Sequence, residues 1–165
     1  MNNIYVLSVL VNNTAGILTR VAGLFTRRAY NIDSLTVGET EDPKFSRMTI
    51  AVKCDDDDAV QIISQIKKLE DVKSVDVLKP GTSVVRDLYL IKVKVLPEQR
   101  QQVMTTADIF RANIVDVAPE SLMIEITGAL SKVQAFVDLL DGYEIIEMAH
   151  AGMTGLNRGN VKNLN

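Results

Sequence analysis

Cysteine occurs once, at Cys54, histidine once, at His150, and tryptophan not at all. A single thiol closes no internal disulfide, so a reducing compartment, the cytoplasm, is the expected home. No Cys-x-x-Cys is present, which argues against a metal carrier. Neither sign of charge dominates: 18 Lys and Arg against 21 Asp and Glu leave −3, too mild a balance to mark a nucleic-acid partner. No apolar run approaches the roughly 18 residues of a membrane span, and Met1-Asn2-Asn3-Ile4 lacks the basic start of a signal peptide. Aliphatic residues are plentiful. Hydrophobic residues make up 47% of 165 positions, enough for the core of one domain or of two small ones.

Their spacing sets the element order. Ile4–Val11 is apolar apart from Ser8, the pattern of a central strand covered on both faces. After Asn12-Asn13-Thr14-Ala15-Gly16, the residues Ile17, Leu18, Val21, Leu24 and Phe25 form a helical stripe through about Ala29. A strand is expected over Asn31–Glu39, a turn at Glu41–Lys44, and a second strand over Phe45–Cys54, where Met48, Ile50, Val52 and Cys54 alternate. Val60, Ile63, Ile66 and Leu69 mark another helix, and Val72–Leu78 a fourth strand. The order is βαββαβ, the ferredoxin-like split unit.

Lys79–Ser83 reads as a linker, and the pattern then repeats. A strand through Tyr89, Ile91, Val93 and Val95 precedes a helix over about Glu98–Arg111. Strands at Asn113–Val117 and Ser121–Thr127, a helix at Leu130–Leu140 and a strand at Tyr143–Ala149 complete a second βαββαβ unit. Ala29-Tyr30-Asn31-Ile32 is echoed by Arg111-Ala112-Asn113-Ile114. The expected organisation is therefore α+β: two ferredoxin-like domains in tandem, over residues 1–79 and 84–150, with a loose or partner-ordered tail over 151–165.

The loop at 12–16 carries the chemistry. A glycine and two asparagines stand where a helix N-terminus opens beside a strand edge. Backbone N–H groups and the positive helix end there suit a small anion such as a carboxylate. Taken alone, the loop is equally an ordinary connection in which Thr14 caps the helix and Gly16 relieves crowding. The corresponding second loop, Pro97-Glu98-Gln99, lacks these residues. Asn31 starts the second strand and can meet Asn13 of a neighbour across a two-fold axis.

Other candidates carry less. An EF-hand starting at Asp55 needs glycine at position 60 and glutamate at 66 but finds Val60 and Ile66, so Asp55–Asp58 read as helix capping and no metal site is expected. Phe45–Val52 has one aromatic, against the stacking pair of an RNA-binding sheet. His150 has no nucleophile partner in the pattern, Cys54 reads as core, and no catalytic constellation forms.

Leu10-Val11-Asn12-Asn13-Thr14-Ala15-Gly16-Ile17-Leu18-Thr19-Arg20 resembles the opening loop of an ACT domain. With Gly23-Leu24-Phe25, Arg28–Val37, Ser46–Ile50 and Gly155-Leu156-Asn157-Arg158-Gly159, nearly the whole chain is similar to the small regulatory subunits of acetolactate synthase (acetohydroxyacid synthase). The resemblance implies a non-catalytic homodimer that binds and activates a catalytic large subunit. Thiamine diphosphate, FAD and Mg²⁺ would belong to that large subunit, and no cofactor to this chain. It implies feedback inhibition, typically by valine, in branched-chain amino-acid biosynthesis. The effector contacts it implies are Asn13, Gly16, Ile17 and Leu18 of one protomer with Asn31 of the other. Two positions depart from the family pattern: Asn12 replaces a common acidic residue, and Ala29 a common glycine. The rival readings are a free-standing amino-acid-binding ACT regulator of another enzyme and an acylphosphatase-like hydrolase. The hydrolase needs an arginine in its anion loop, and none is present at 12–16.

Overall fold

The computed structural model describes residues 3–159. In chain order the elements are β1 (Asn3–Asn12), α1 (Ile17–Arg27), β2 (Ile32–Glu39), β3 (Phe45–Cys54), α2 (Asp56–Lys67), β4 (Val72–Val77), β5 (Ser83–Lys94), α3 (Arg100–Ile109), β6 (Asn113–Ala118), β7 (Ser121–Gly128), α4 (Leu130–Leu139), β8 (Ile145–His150) and β9 (Thr154–Asn157). They form two compact units, Met1–Val85 with Met153–Asn165, and Arg86–Gly152. Each holds an antiparallel sheet, ordered β2-β3-β1-β4 in the first and β6-β7-β5-β8 in the second. The α+β class and the tandem βαββαβ order are thus present.

In the first unit β1 is central, as its unbroken apolar run requires. Leu7, Val9 and Val11 point to one face, where Leu7 pairs with Ile50 and Val77, and Val9 with Met48 and Val75. Ile17, Val21 and Phe25 of α1 and Ala59, Ile62 and Ile66 of α2 close the core over that face. Burying each large aliphatic or aromatic side chain contributes about 1.5–3 kcal/mol. The buried stripe of α2 differs from the expected one. Val60, the first of the apolar positions that mark this helix in the sequence, is 67% exposed, and Ala59, one position earlier, is core. Ala59, Ile62 and Ile66 keep the i, i+3, i+7 spacing of one face, and Val60 lies about 100° around the helix from Ala59. The four aspartates do cap: Asp58 N–H donates to Asp55 Oδ1 at 2.8 Å, and Asp56–Asp58 fill the first turn, where carboxylates favour the helix dipole. Asp56 and Asp58 also accept from the hydroxyls of Tyr5 and Tyr30, tying α2 to β1 and to the end of α1.

The second unit repeats the design with Ile91, Val93, Leu122, Ile124 and Ile126 under Val103, Ala107, Val133 and Phe136. The sequence echo noted above is a shared helix ending. Ala29 and Arg111 both adopt left-handed backbone, with φ of 57° and 53°. In each case the following N–H reaches back five residues, Tyr30 to Phe25 O at 3.0 Å and Ala112 to Ala107 O at 2.9 Å. That is the Schellman arrangement, whose left-handed position favours glycine.

Residues 153–158, expected as part of a loose tail, are ordered against the first unit. Met153 is 8% exposed. Its N–H donates to Ser34 Oγ at 3.3 Å, and Thr36 Oγ1 donates to its carbonyl at 3.0 Å. β9 pairs with β5, and Arg158 N–H donates to Thr82 O at 2.8 Å. Gly155 fits because it has no side chain: a Cβ there would lie 2.6 Å from Val84 O. The expected tail beyond Gly159 lies outside the described residues.

Candidate functional site

β1 delivers the loop at 12–16 to the edge of the first unit, and α1 starts from it. Gly16 is the N-cap residue, in left-handed conformation at φ 84° and ψ −4°. A Cβ on Gly16 would meet nothing within 4 Å, so glycine is required by conformation and not by the crowding expected from the sequence. Thr14 does not cap. α1 has no side-chain cap and no acidic residue in its first turn, unlike α2. Ile17 N–H closes a turn on Thr14 O at 3.4 Å and Arg20 N–H a helical bond on Gly16 O at 3.0 Å, so the first-turn N–H groups of Leu18 and Thr19 between them lie at the positive end of the helix. A helix start of this kind is chemically suited to a carboxylate.

The expected contact residues are placed as follows. Asn13 is exposed at the mouth of the loop, and its Nδ2 donates to Pro43 O at 3.0 Å and Glu39 Oε2 at 3.3 Å. Ile17 turns its side chain into the core, so it offers the loop only its backbone. Leu18 is 43% exposed and stands beside Gly16. Asn31 is exposed past the far end of α1. The 11 residues of α1 set it about 16 Å along the axis from Gly16 within one chain. Asn12 turns away from the loop mouth, with Nδ2 donating to Asp71 Oδ1 at 3.3 Å, while Arg20 Nη1 holds Asp71 Oδ2 at 2.7 Å.

The pattern of the sequence missed Glu39 and Asp71, because their link to the loop runs between segments 26 and 59 residues apart. It also missed a buried acid in the second unit. Asp87, 3% exposed, accepts from Leu88 N–H at 2.8 Å and Gly152 N–H at 3.1 Å, and lies 3.3 Å from His150 Nδ1. His150 stacks on Tyr89 with ring centroids 4.8 Å apart. It is a structural histidine closing the start of β5 onto the end of β8. Cys54 is buried in the first core, and burial, with Asp58, Asp55 and Asp56 nearby, pushes its thiol up from the ordinary range. Among the described residues no helix is long and apolar enough to cross a membrane, and no group of three or more His, Cys, Asp and Glu is arranged for a metal ion.

Two family models match, one for each half. Residues 7–74 match the AHAS small subunit-like ACT domain, and residues 86–159 match the small subunit of acetolactate synthase. A protein of Archaeoglobus fulgidus named "Probable acetolactate synthase small subunit" is 48% identical over 159 residues, covering 96% of this chain and 99% of that one. The acetolactate synthase isozyme 3 small subunit of Escherichia coli is 42% identical over 155 residues, covering 93% and 95%. The crystal structure of the acetolactate synthase small subunit from Thermotoga maritima superposes with a TM-score of 0.85 at 43% identity, covering 96% of this chain and 99% of that one. Matched from end to end by such relatives, with an ACT domain at the residues that hold the uncapped loop, the chain belongs to the acetolactate synthase small-subunit family.

Proposed function

We propose that this chain is a regulatory subunit that activates the catalytic large subunit of acetolactate synthase and makes it sensitive to valine. It works as a homodimer in the cytoplasm, in branched-chain amino-acid biosynthesis, and leaves thiamine diphosphate, FAD and Mg²⁺ to the large subunit. The observation that carries the reading is the uncapped start of α1 behind Gly16, with Asn13 at its mouth, in a chain of this family.

Valine is a zwitterion with a short branched tail. Its carboxylate is received by backbone N–H groups around Gly16–Leu18, where the long Ile17 N–H bond to Thr14 O at 3.4 Å gives way to the ligand. Asn13, with the partner's Asn31, supplies side-chain amides for the remaining polar atoms. The exposed side of Leu18 helps enclose the tail. One methyl of difference in such a pocket is worth about 1–3 kcal/mol, so leucine and isoleucine compete measurably. Because two protomers build the site, the ligand favours one dimer arrangement. A coupling of about 1–3 kcal/mol then lowers the activity of the bound large subunit.

The test reconstitutes the chain with a large subunit and measures acetolactate formation with and without valine. Asn13→Ala is expected to keep activation and to lose inhibition. Undiminished valine binding by Asn13→Ala in calorimetry rejects the site. Failure of the wild-type chain to raise large-subunit activity rejects the role.

A further inference from the structure

Glu39 has no part in the reading above, yet it stands at the mouth of the same loop. It is the last residue of β2 and is exposed. None of the ion pairs among the described residues includes it. Its polar contact is the Asn13 amide, whose Nδ2 donates to Glu39 Oε2 at 3.3 Å and to Pro43 O at 3.0 Å. An amide nitrogen carries two hydrogens, and these two acceptors use both. The reversed amide would set its oxygen against a carboxylate and a carbonyl, so the orientation is fixed by its neighbours. Asn13 therefore presents an acceptor oxygen outward, beside a carboxylate that is held in none of these ion pairs. Asp71, the other acid near the loop, is different: Arg20 and Asn12 both satisfy it. The mouth thus has two electrical ends, one of outward N–H groups at the start of α1 and one of acceptors at Asn13 and Glu39.

We infer that Glu39, with Asn13 Oδ1, reads the α-ammonium of the effector, so that the site takes α-amino acids and rejects the 2-oxo acids with the same side chain. This rests on the effector lying at the loop, as proposed above, and adds its orientation. A 2-oxo acid keeps the carboxylate and the branched tail. In place of the ammonium it brings a carbonyl oxygen, which faces Asn13 Oδ1 and the Glu39 carboxylate with no hydrogen between them. Acceptors left unpaired in this way account for the large selectivity of sites built to pair a polar group of their ligand. A regulator with this polarity responds to the aminated product and ignores its unaminated precursor.

The experiment is calorimetry on the full chain with valine and with 3-methyl-2-oxobutanoate, for wild type and Glu39→Gln, at two salt concentrations. The glutamine keeps an oxygen for the Asn13 amide and removes only the charge. Wild type is expected to bind valine at least thirtyfold more tightly than the oxo acid, the order of loss that unpaired acceptors impose. Glu39→Gln is expected to weaken valine about tenfold, to leave the oxo acid no weaker, and to show a shallower salt dependence for valine. Valine binding undiminished in Glu39→Gln, or equal binding of oxo acid and amino acid by wild type, overturns this inference alone. Absence of binding by wild type with valine, leucine and isoleucine overturns the effector site itself.

Discussion

Replacing Gly155 by alanine tests whether β9 is an integral strand of the first unit. The added Cβ would lie 2.6 Å from Val84 O, 2.9 Å from Leu78 Cδ1 and 2.9 Å from Val85 Cγ2. The Leu78 and Val85 side chains can turn, but Val84 O is backbone within β5, so β5 and β9 must part by several tenths of an ångström. Overpacking of this kind costs about 1–3 kcal/mol. The alternative is for β9 to leave. That forfeits the burial of Met153, about 1.5–3 kcal/mol, and three hydrogen bonds at about 0.5–1.5 kcal/mol each. The entropy regained by the released residues opposes that loss. By either route the expected destabilisation is about 1–3 kcal/mol. Amide exchange across 153–158 is expected to speed up roughly 5- to 150-fold while the core of the second unit keeps its protection. Gly23→Ala is the opposite control. It lies inside α1 with nothing within 4 Å of the added Cβ, and is expected to stabilise by about 0.5–1 kcal/mol. Exchange across 153–158 that is unchanged in Gly155→Ala, with equal stability, would refute the packing argument.

The two left-handed helix ends predict a gain from glycine: Ala29→Gly and Arg111→Gly should each raise the urea midpoint, by about 1 kcal/mol of stability, and a loss at either position would count against the assigned backbone. Cys54 should resist alkylation in the native chain near neutral pH and react freely in denaturant, as a buried thiol with a raised pKa must. The same shift fixes a sign. The folded state holds the Cys54 proton more tightly than the unfolded state, so its contribution is complete below the ordinary thiol value of about 8.5 and is lost as pH rises through the raised folded value. Cys54→Ala is expected to remove that part of the alkaline loss of stability, measured by urea titration across the alkaline range.

What could be read from the sequence was whatever a local period encodes. The central place of β1 follows from an apolar run with no exposed side. The repeat of the βαββαβ order, and the twin helix endings at 29–32 and 111–114, follow from short windows compared with one another. The loop at 12–16 declared itself through residue types suited to a helix start. Features made by distant partners were hidden. Val60 and Ala59 differ by one position in a helix, and only packing decides which faces the sheet. β9 is four residues long and contains a glycine, too short to show any alternation. Glu39 reads as one more exposed acid until β2 is laid beside the loop, when it becomes Asn13's neighbour. Asp87 and His150 are 63 residues apart and meet because β5 pairs with β8.

The chain leaves the first unit after Val85 and re-enters it at Met153. In chain order the second unit is therefore an insertion within the first. Cutting the polypeptide between the halves severs a strand from the half it was meant to isolate, baring Ser34 and Thr36 where the Met153 backbone normally rests. An isolated amino-terminal half needs the 153–158 segment grafted back through a short bridge, or supplied as a separate peptide. Chain ends lost by proteolysis after Gly152 would injure the fold at its amino-terminal side first.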